Sequence, residues 1–237
     1  MKTVIDKAAS RGHANQGWLK SHHTFSFSNY YNPQRIHFGA LRVLNDDWIA
    51  PGKGFGMHPH DNMEIITIPL AGVVEHKDNM GNTGTITAGE VQVMSAGTGI
   101  LHSETNGSAD NALELLQIWV IPDKKHVAPR YEQITLKPLE KKNELYQILS
   151  PNAHEPGVWI HQQAWFYLGN FDQNWEGMYH LHRPESGIYV FVIEGNASVM
   201  NQELNRRDGM GCSEISEVNL AATAGTRMLI MEVPVKL

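Results

Sequence analysis

Short runs of β-forming residues, each closed by a turn signal, recur along most of this chain, and sustained helical periodicity is nearly absent. Ala40-Leu44, Glu64-Pro69, Val73-His76, Thr83-Thr87, Glu90-Met94 and Leu113-Ile121 are such runs. Asn45-Asp46-Asp47, Pro51-Gly52-Lys53-Gly54, Ala71-Gly72, Met80-Gly81-Asn82 and Ala88-Gly89 read as the turns between them. Even spacing of this kind predicts an all-β sandwich or barrel. From Pro122 to Pro156 the chain is more polar and rich in proline. That stretch reads as a connection with strand fragments and one helical turn around Leu139-Leu145. Strand patterning then resumes at Trp159-His161, Ala164-Phe171, Gly177-His182, Ile188-Ile193, Ala197-Val199 and Met228-Val233.

A faint repeat links the two parts. His58-Pro59-His60 followed by Glu64-Ile65-Ile66 is echoed by His180-Leu181-His182 followed by Ile188-Tyr189-Val190. Two copies of one architecture are predicted, divided as residues 1–130 and 131–237.

Composition narrows the function. Of 237 residues 41% are hydrophobic, enough for a buried core, and the formal net charge of −6 argues against nucleic-acid binding through a basic surface. No apolar run reaches the ~20 residues of a membrane helix, and no signal peptide is evident at the start. Cys212 is the only cysteine, so no internal disulfide can form. A cytoplasmic, monomeric protein is the expectation.

The chemistry sits in two short elements. In Gly56-Met57-His58-Pro59-His60 the two histidines are two apart, so a strand points both imidazoles to one face. Pro59 between them predicts a bulge or a sheet edge. In Gly97-Thr98-Gly99-Ile100-Leu101-His102-Ser103-Glu104 the spacing recurs at His102 and Glu104. On neighbouring strands facing one interior, these give three neutral imidazoles and one carboxylate. That set suits Fe, Mn, Ni, Cu or Zn as a divalent ion. If the ion is octahedral, two positions stay open, as in a catalytic rather than a structural site. Glu75, His76, Asn106 and Gln117 are candidates to orient the ligands. Phe55, Met57, Met63, Met94 and Trp119 are candidates to line a pocket for flat aromatic rings. His13, His22, His23, His37, His126, His154 and His161 are read as surface or satisfied core residues. His180 and His182 have no later histidine to complete a second site.

These elements resemble cupin motifs one and two in the form found in the pirin family. His-Pro-His at 58–60, Glu75-His76, Ser95-Ala96-Gly97-Thr98-Gly99 and His102-Ser103-Glu104 carry the resemblance. Arg11-Gly12-His13-Ala14-Asn15-Gln16-Gly17-Trp18-Leu19 and His23-Thr24-Phe25-Ser26-Phe27 extend it. It is dense over roughly residues 10–130, and is greatest to the bacterial pirin-like members described as quercetin 2,3-dioxygenases. The resemblance implies a bicupin, two jelly-roll barrels packed together with short helical segments. It implies iron in the first half, held by His58, His60, His102 and Glu104. Glu64 stands where other cupins place a carboxylate ligand, and here a structural role is expected for it. The implied activity is cleavage of a flavonol such as quercetin with O2, Glu104 serving as ligand and as base for the flavonol 3-hydroxyl. The alternative is a non-enzymatic member that binds a protein partner, and a third option is a cupin isomerase or hydrolytic metal enzyme.

Overall fold

The computed structural model describes residues 1–236, almost entirely as strands. Four antiparallel-rich sheets form two sandwiches of the same plan. In the first, a seven-stranded sheet runs in the order Arg130–Thr135, Glu90–Ser95, Glu64–Ala71, Leu113–Val120, Leu41–Ile49, Leu19–His23, Gly12–Asn15. It faces a four-stranded sheet ordered Gly54–His60, Ile100–Asn106, Val73–Asp78, Thr83–Thr87. In the second, the seven strands run Lys2–Asp6, Gly209–Ser213, Ser186–Glu194, Thr226–Pro234, Trp165–Phe171, Leu145–Ser150, Val158–Trp159. They face Trp175–His180, Glu217–Ala222, Asn196–Val199, Gln202–Asn205. Position by position the two orders correspond, as the faint sequence repeat predicts.

The burial patterns follow from this layering. Val73–Asp78 and Ile100–Asn106 alternate buried and more accessible residues, because the four-stranded sheet covers an interior with one face only. Glu64–Ala71, Ser186–Glu194 and Thr226–Pro234 are buried almost throughout. Their seven-stranded sheets are covered twice, by their own small sheet and by each other. The largest apolar cluster accordingly mixes the halves: Leu44, Ile66 and Ile118 pack with Phe166, Tyr189, Phe191 and Leu229. Such double coverage makes near-continuous apolar strands stable.

Three expectations change. The sheets exchange strands across the expected boundary at residue 130. Lys2–Asp6 adds to Gly209–Ser213 in the second sandwich, and Arg130–Thr135 closes the first against Glu90–Ser95. Asn45-Asp46-Asp47 is not a turn but the middle of Leu41–Ile49. No helix forms around 139–145, where the chain turns on a Leu139 N–H to Leu136 carbonyl bond of 2.9 Å. The one helical turn among the described residues is Ala8–Ser10. No helix is long and apolar enough to cross a membrane.

The two interiors differ in chemistry. The second is filled by Phe171, Ile188, Val190, Val199, Leu220, Met228 and Ile230. The first holds two smaller apolar clusters, one around Ile49 and Leu113 and one around Ile65 and Met94. Thr67, Gln92, His102 and Glu104 are buried in the same half. Burying so many polar groups is costly unless they are paired, which directs attention to what they hold.

Candidate metal centre

Gly54–His60 is the edge strand of the small sheet, which accommodates Pro59 with its missing N–H. It pairs with Ile100–Asn106 so that His58 lies directly across from His102, and the register shifts between His102 and Glu104. The extra residue lies at Gly56-Met57, in the same strand as Pro59, and re-aims His58 and His60 relative to Phe55. Gly54 permits the close pairing at that point: a Cβ there would lie 2.4 Å from the Glu104 carbonyl oxygen and from Thr105 Cα.

The outcome is a convergence of imidazoles. Ligand nitrogens of His58, His60 and His102 all lie within 4.8 Å of one another. The His58 and His102 Nε2 atoms are 3.1 Å apart. His58 Nδ1 donates to the Gly56 carbonyl at 2.7 Å, so its Nε2 presents a lone pair to the centre. Burial first, and then the neighbouring imidazoles, pull the His60 and His102 pKa values down to about 4 and about 3. Both rings are therefore neutral at physiological pH, the form that ligates a metal.

Glu104 joins the group through His102: His76, His102 and Glu104 form a second cluster within the same 4.8 Å limit. Its carboxylate is held by three side chains. Oε1 accepts from Thr67 Oγ1 at 2.8 Å and Gln92 Nε2 at 3.1 Å, and Oε2 accepts from Gln117 Nε2 at 2.6 Å. Three donors fix the direction of the carboxylate. The donors present (neutral imidazoles with free lone pairs beside an oriented carboxylate) fit a first-row divalent ion.

Of the residues singled out to orient this group, Gln117 does so. His76 is buried across from Glu104, its Nε2 3.3 Å from Asp78 Oδ2, with the Tyr131 ring 4.6 Å away. Asn106 instead ties a loop, donating to the carbonyls of Ile49, Ala50 and Asn111. Glu75 is exposed on the other face of its strand. Glu64 accepts from Ser95 Oγ at 2.7 Å, near Arg130, and burial pushes its pKa up to about 7. It lies on the strand face opposite Thr67 and belongs to neither cluster.

A cavity of about 230 Å3 adjoins the imidazoles. Phe55 and Trp119 line it, as predicted. Met57, Met63 and Met94 do not. Met57 is exposed on the outer face, and Met94 is fully buried in the cluster against which Met63 packs. The far wall comes from residues the sequence reading passed over: Ser21, His23, Asn45 and Asp47. His23 Nδ1 donates to Asn45 Oδ1 at 2.9 Å, so this histidine is buried and satisfied as expected, and it also lines the cavity. Burial pushes the Asp47 carboxyl up to about 7. Thr67 and Gln92 were also missed. A signal existed, since each is a lone polar residue in an apolar run, Ile66-Thr67-Ile68 and Val91-Gln92-Val93.

In the second half, His180 and His182 serve separate partners. His180 is exposed and 3.3 Å from Glu217. His182 Nδ1 donates to the buried Glu232 at 2.8 Å, and its ring stacks on Trp165 at 4.4 Å.

The family model described as Pirin matches residues 5–120, and that of the quercetinase C-terminal cupin domain matches residues 147–233. Over 230 residues the chain is 41% identical to a quercetin 2,3-dioxygenase of Escherichia coli, covering 97% of this chain and 98% of that protein. It is 35% identical to a pirin-like protein of Caulobacter vibrioides, covering 93% and 95% of the two chains. The structure of the bacterial pirin YhhW from Escherichia coli in complex with nickel(II) superposes with a TM-score of 0.92 at 39% identity, covering 98% of this chain and 99% of that one.

Proposed function

The chain belongs to the pirin family, and from that premise we infer that it is a metal-dependent dioxygenase that cleaves flavonols such as quercetin with O2. The observation that carries this reading is the convergence of three imidazoles beside an oriented carboxylate at the edge of a partly apolar cavity. His58, His60 and His102 hold the ion, with Glu104 as the fourth ligand. Iron is the metal of this reading, and the description of a relative's structure as a complex with nickel(II) supports a first-row divalent ion. When bound, the ion acts as a Lewis acid and lowers the pKa of a substrate hydroxyl.

The chain supplies the rest. Phe55 and Trp119 offer apolar surface to a flat ring system. At about 230 Å3 the cavity falls below the ~300 Å3 where pockets for drug-sized ligands begin, which suits a compact aromatic core. Glu104 is the carboxylate nearest the imidazoles. Its Oε2 carries one donor where Oε1 carries two, so Oε2 is the atom placed to take the flavonol 3-hydroxyl proton. No feature of the described residues favours the partner-binding alternative.

Aerobic incubation of metal-loaded protein with quercetin tests the reading through the loss of the flavonol's near-visible absorbance. Catalytic loss is expected, and Glu104→Gln should retain metal while turnover falls by about 100-fold or more. Fully loaded protein that leaves quercetin intact contradicts the dioxygenase, and normal turnover by Glu104→Gln contradicts the role of Glu104.

A further inference from the structure

The wall facing the imidazoles is more polar than the fold requires. Leu19–His23 and Leu41–Ile49 are neighbouring strands of the large sheet, with Ser21 paired to Asp47 and His23 to Asn45. All four side chains line the cavity. In the second sandwich the strands at the same two positions, Leu145–Ser150 and Trp165–Phe171, contribute Leu145, Tyr167 and Phe171 to an apolar filling. The architecture is therefore built equally well with apolar residues there, and the polar wall calls for another explanation.

None of the four is needed to orient the metal ligands; that is done by Thr67, Gln92, Gln117 and the Gly56 carbonyl. Within the wall, His23 and Asn45 satisfy each other. Asp47 is different. It is only 5% exposed, lies directly across from Ser21, and yet its Oδ1 has no hydrogen-bond partner. The Trp119 indole N–H, also on the cavity lining, is likewise buried and unpartnered. A buried acceptor and a buried donor without partners, on two residues of one small cavity's lining, are unfavourable until something pairs with them. A ligand hydroxyl both donates and accepts, so it matches this pairing where a purely apolar ring does not.

We propose that Ser21, His23, Asn45 and Asp47 form a hydroxyl-reading wall, and that the Asp47 carboxyl positions a polyhydroxylated aromatic substrate by binding one of its ring hydroxyls. This rests on the flavonol reading of the same site and adds what distinguishes one flavonol from another. A site built to hydrogen-bond a hydroxyl rejects the analogue lacking it far more strongly than an apolar pocket rejects a change of size. Asp47 is thus a positioning residue whose loss shows in affinity and in selectivity among analogues.

The test measures flavonol binding to nickel(II)-loaded protein under nitrogen, with quercetin, kaempferol, fisetin and 3-hydroxyflavone as probes, so that every ring hydroxyl but the 3-hydroxyl is missing from at least one of them. Asp47→Leu should weaken quercetin binding by at least about tenfold. It should have little effect on the probe that lacks the hydroxyl Asp47 reads. Asp47→Asn, which keeps a donor and an acceptor, should recover most of the affinity. Nickel content and melting temperature, measured alongside, report whether the variants are folded and loaded. Wild-type affinity in Asp47→Leu, an equal loss across all four probes, or no flavonol binding by the wild type overturns the proposal. Aerobic turnover separates the two readings. Quercetin cleavage with Asp47→Leu binding unchanged removes the wall and leaves the dioxygenase. Hydroxyl-dependent binding without cleavage does the reverse.

Discussion

The three donors on Glu104 show how individual residues set this centre. Thr67, Gln92 and Gln117 come from three adjacent strands whose registers place Thr67 opposite both glutamines. Replacing Gln117 by Leu removes the 2.6 Å bond to Oε2 and leaves that oxygen without its donor. Metal affinity should fall by roughly 10- to 100-fold, read by competition with a chromophoric chelator; unchanged affinity contradicts the orienting role. Glu64 gives a residue-scale prediction about stability. Burial raises its folded-state pKa from 4.5 to about 7, so the fold favours the neutral carboxyl. Its contribution is fully present below about pH 4.5 and is lost as pH rises through about 7. Glu64→Gln has no such charge to bury. Urea denaturation of chelator-treated protein should find it more stable than wild type by on the order of 2 kcal/mol at pH 8, and little different at pH 5. A constant difference across that range contradicts the assignment. At this scale the grouping of His58, His60 and His102 was legible because a spacing of two has a direct meaning in a strand. Asp47 and Asn45 were not, because Asn and Asp in succession carry the signature of a turn. Their inward positions depend on a cavity that no local pattern announces.

The N-terminal strand ties the two sandwiches together as an element. Lys2–Asp6 covers the edge of Gly209–Ser213, and Asp6 at its end is buried against the Arg35 guanidinium at 3.0 Å and the Tyr189 hydroxyl at 2.7 Å. Asp6→Ala leaves the Arg35 Nε and a buried phenol without this acceptor, the rest of the guanidinium staying on Ser10, and should cost about 3 kcal/mol by chemical denaturation. A cost under about 0.5 kcal/mol would place Asp6 among ordinary surface residues. Many strands, central and edge, were visible in the sequence. Thr83–Thr87 and Leu113–Val120 are bounded by turn residues or polar segments and carry β-branched or apolar runs. Lys2–Asp6 and Gly209–Ser213 were not read as strands. The first is mostly exposed and polar, and the second, Gly-Met-Gly-Cys-Ser, has weak strand propensity. Their pairing joins residues some 200 positions apart, and its stabilisation comes from tertiary contact that local patterning does not encode.

As a whole molecule, the chain is one plan used twice with opposite interiors. Both halves place two histidines two residues apart at the end of the edge strand of the small sheet. In the first half they meet a third imidazole and a polar interior; in the second they meet Glu217 and Glu232 above an apolar filling. The repeat was detectable because His-x-His followed by an apolar strand survives in both copies. The strand exchange was not, since it changes no local sequence. Binding an ion only in the folded state raises stability by mass action, so chelation should lower the melting temperature and added divalent metal should restore it. Elemental analysis of the native protein beside His102→Ala tests the centre most directly. One divalent metal per chain in the wild type, absent from a folded His102→Ala, is the predicted result. A metal-free native protein, or the same metal content in both, would contradict it.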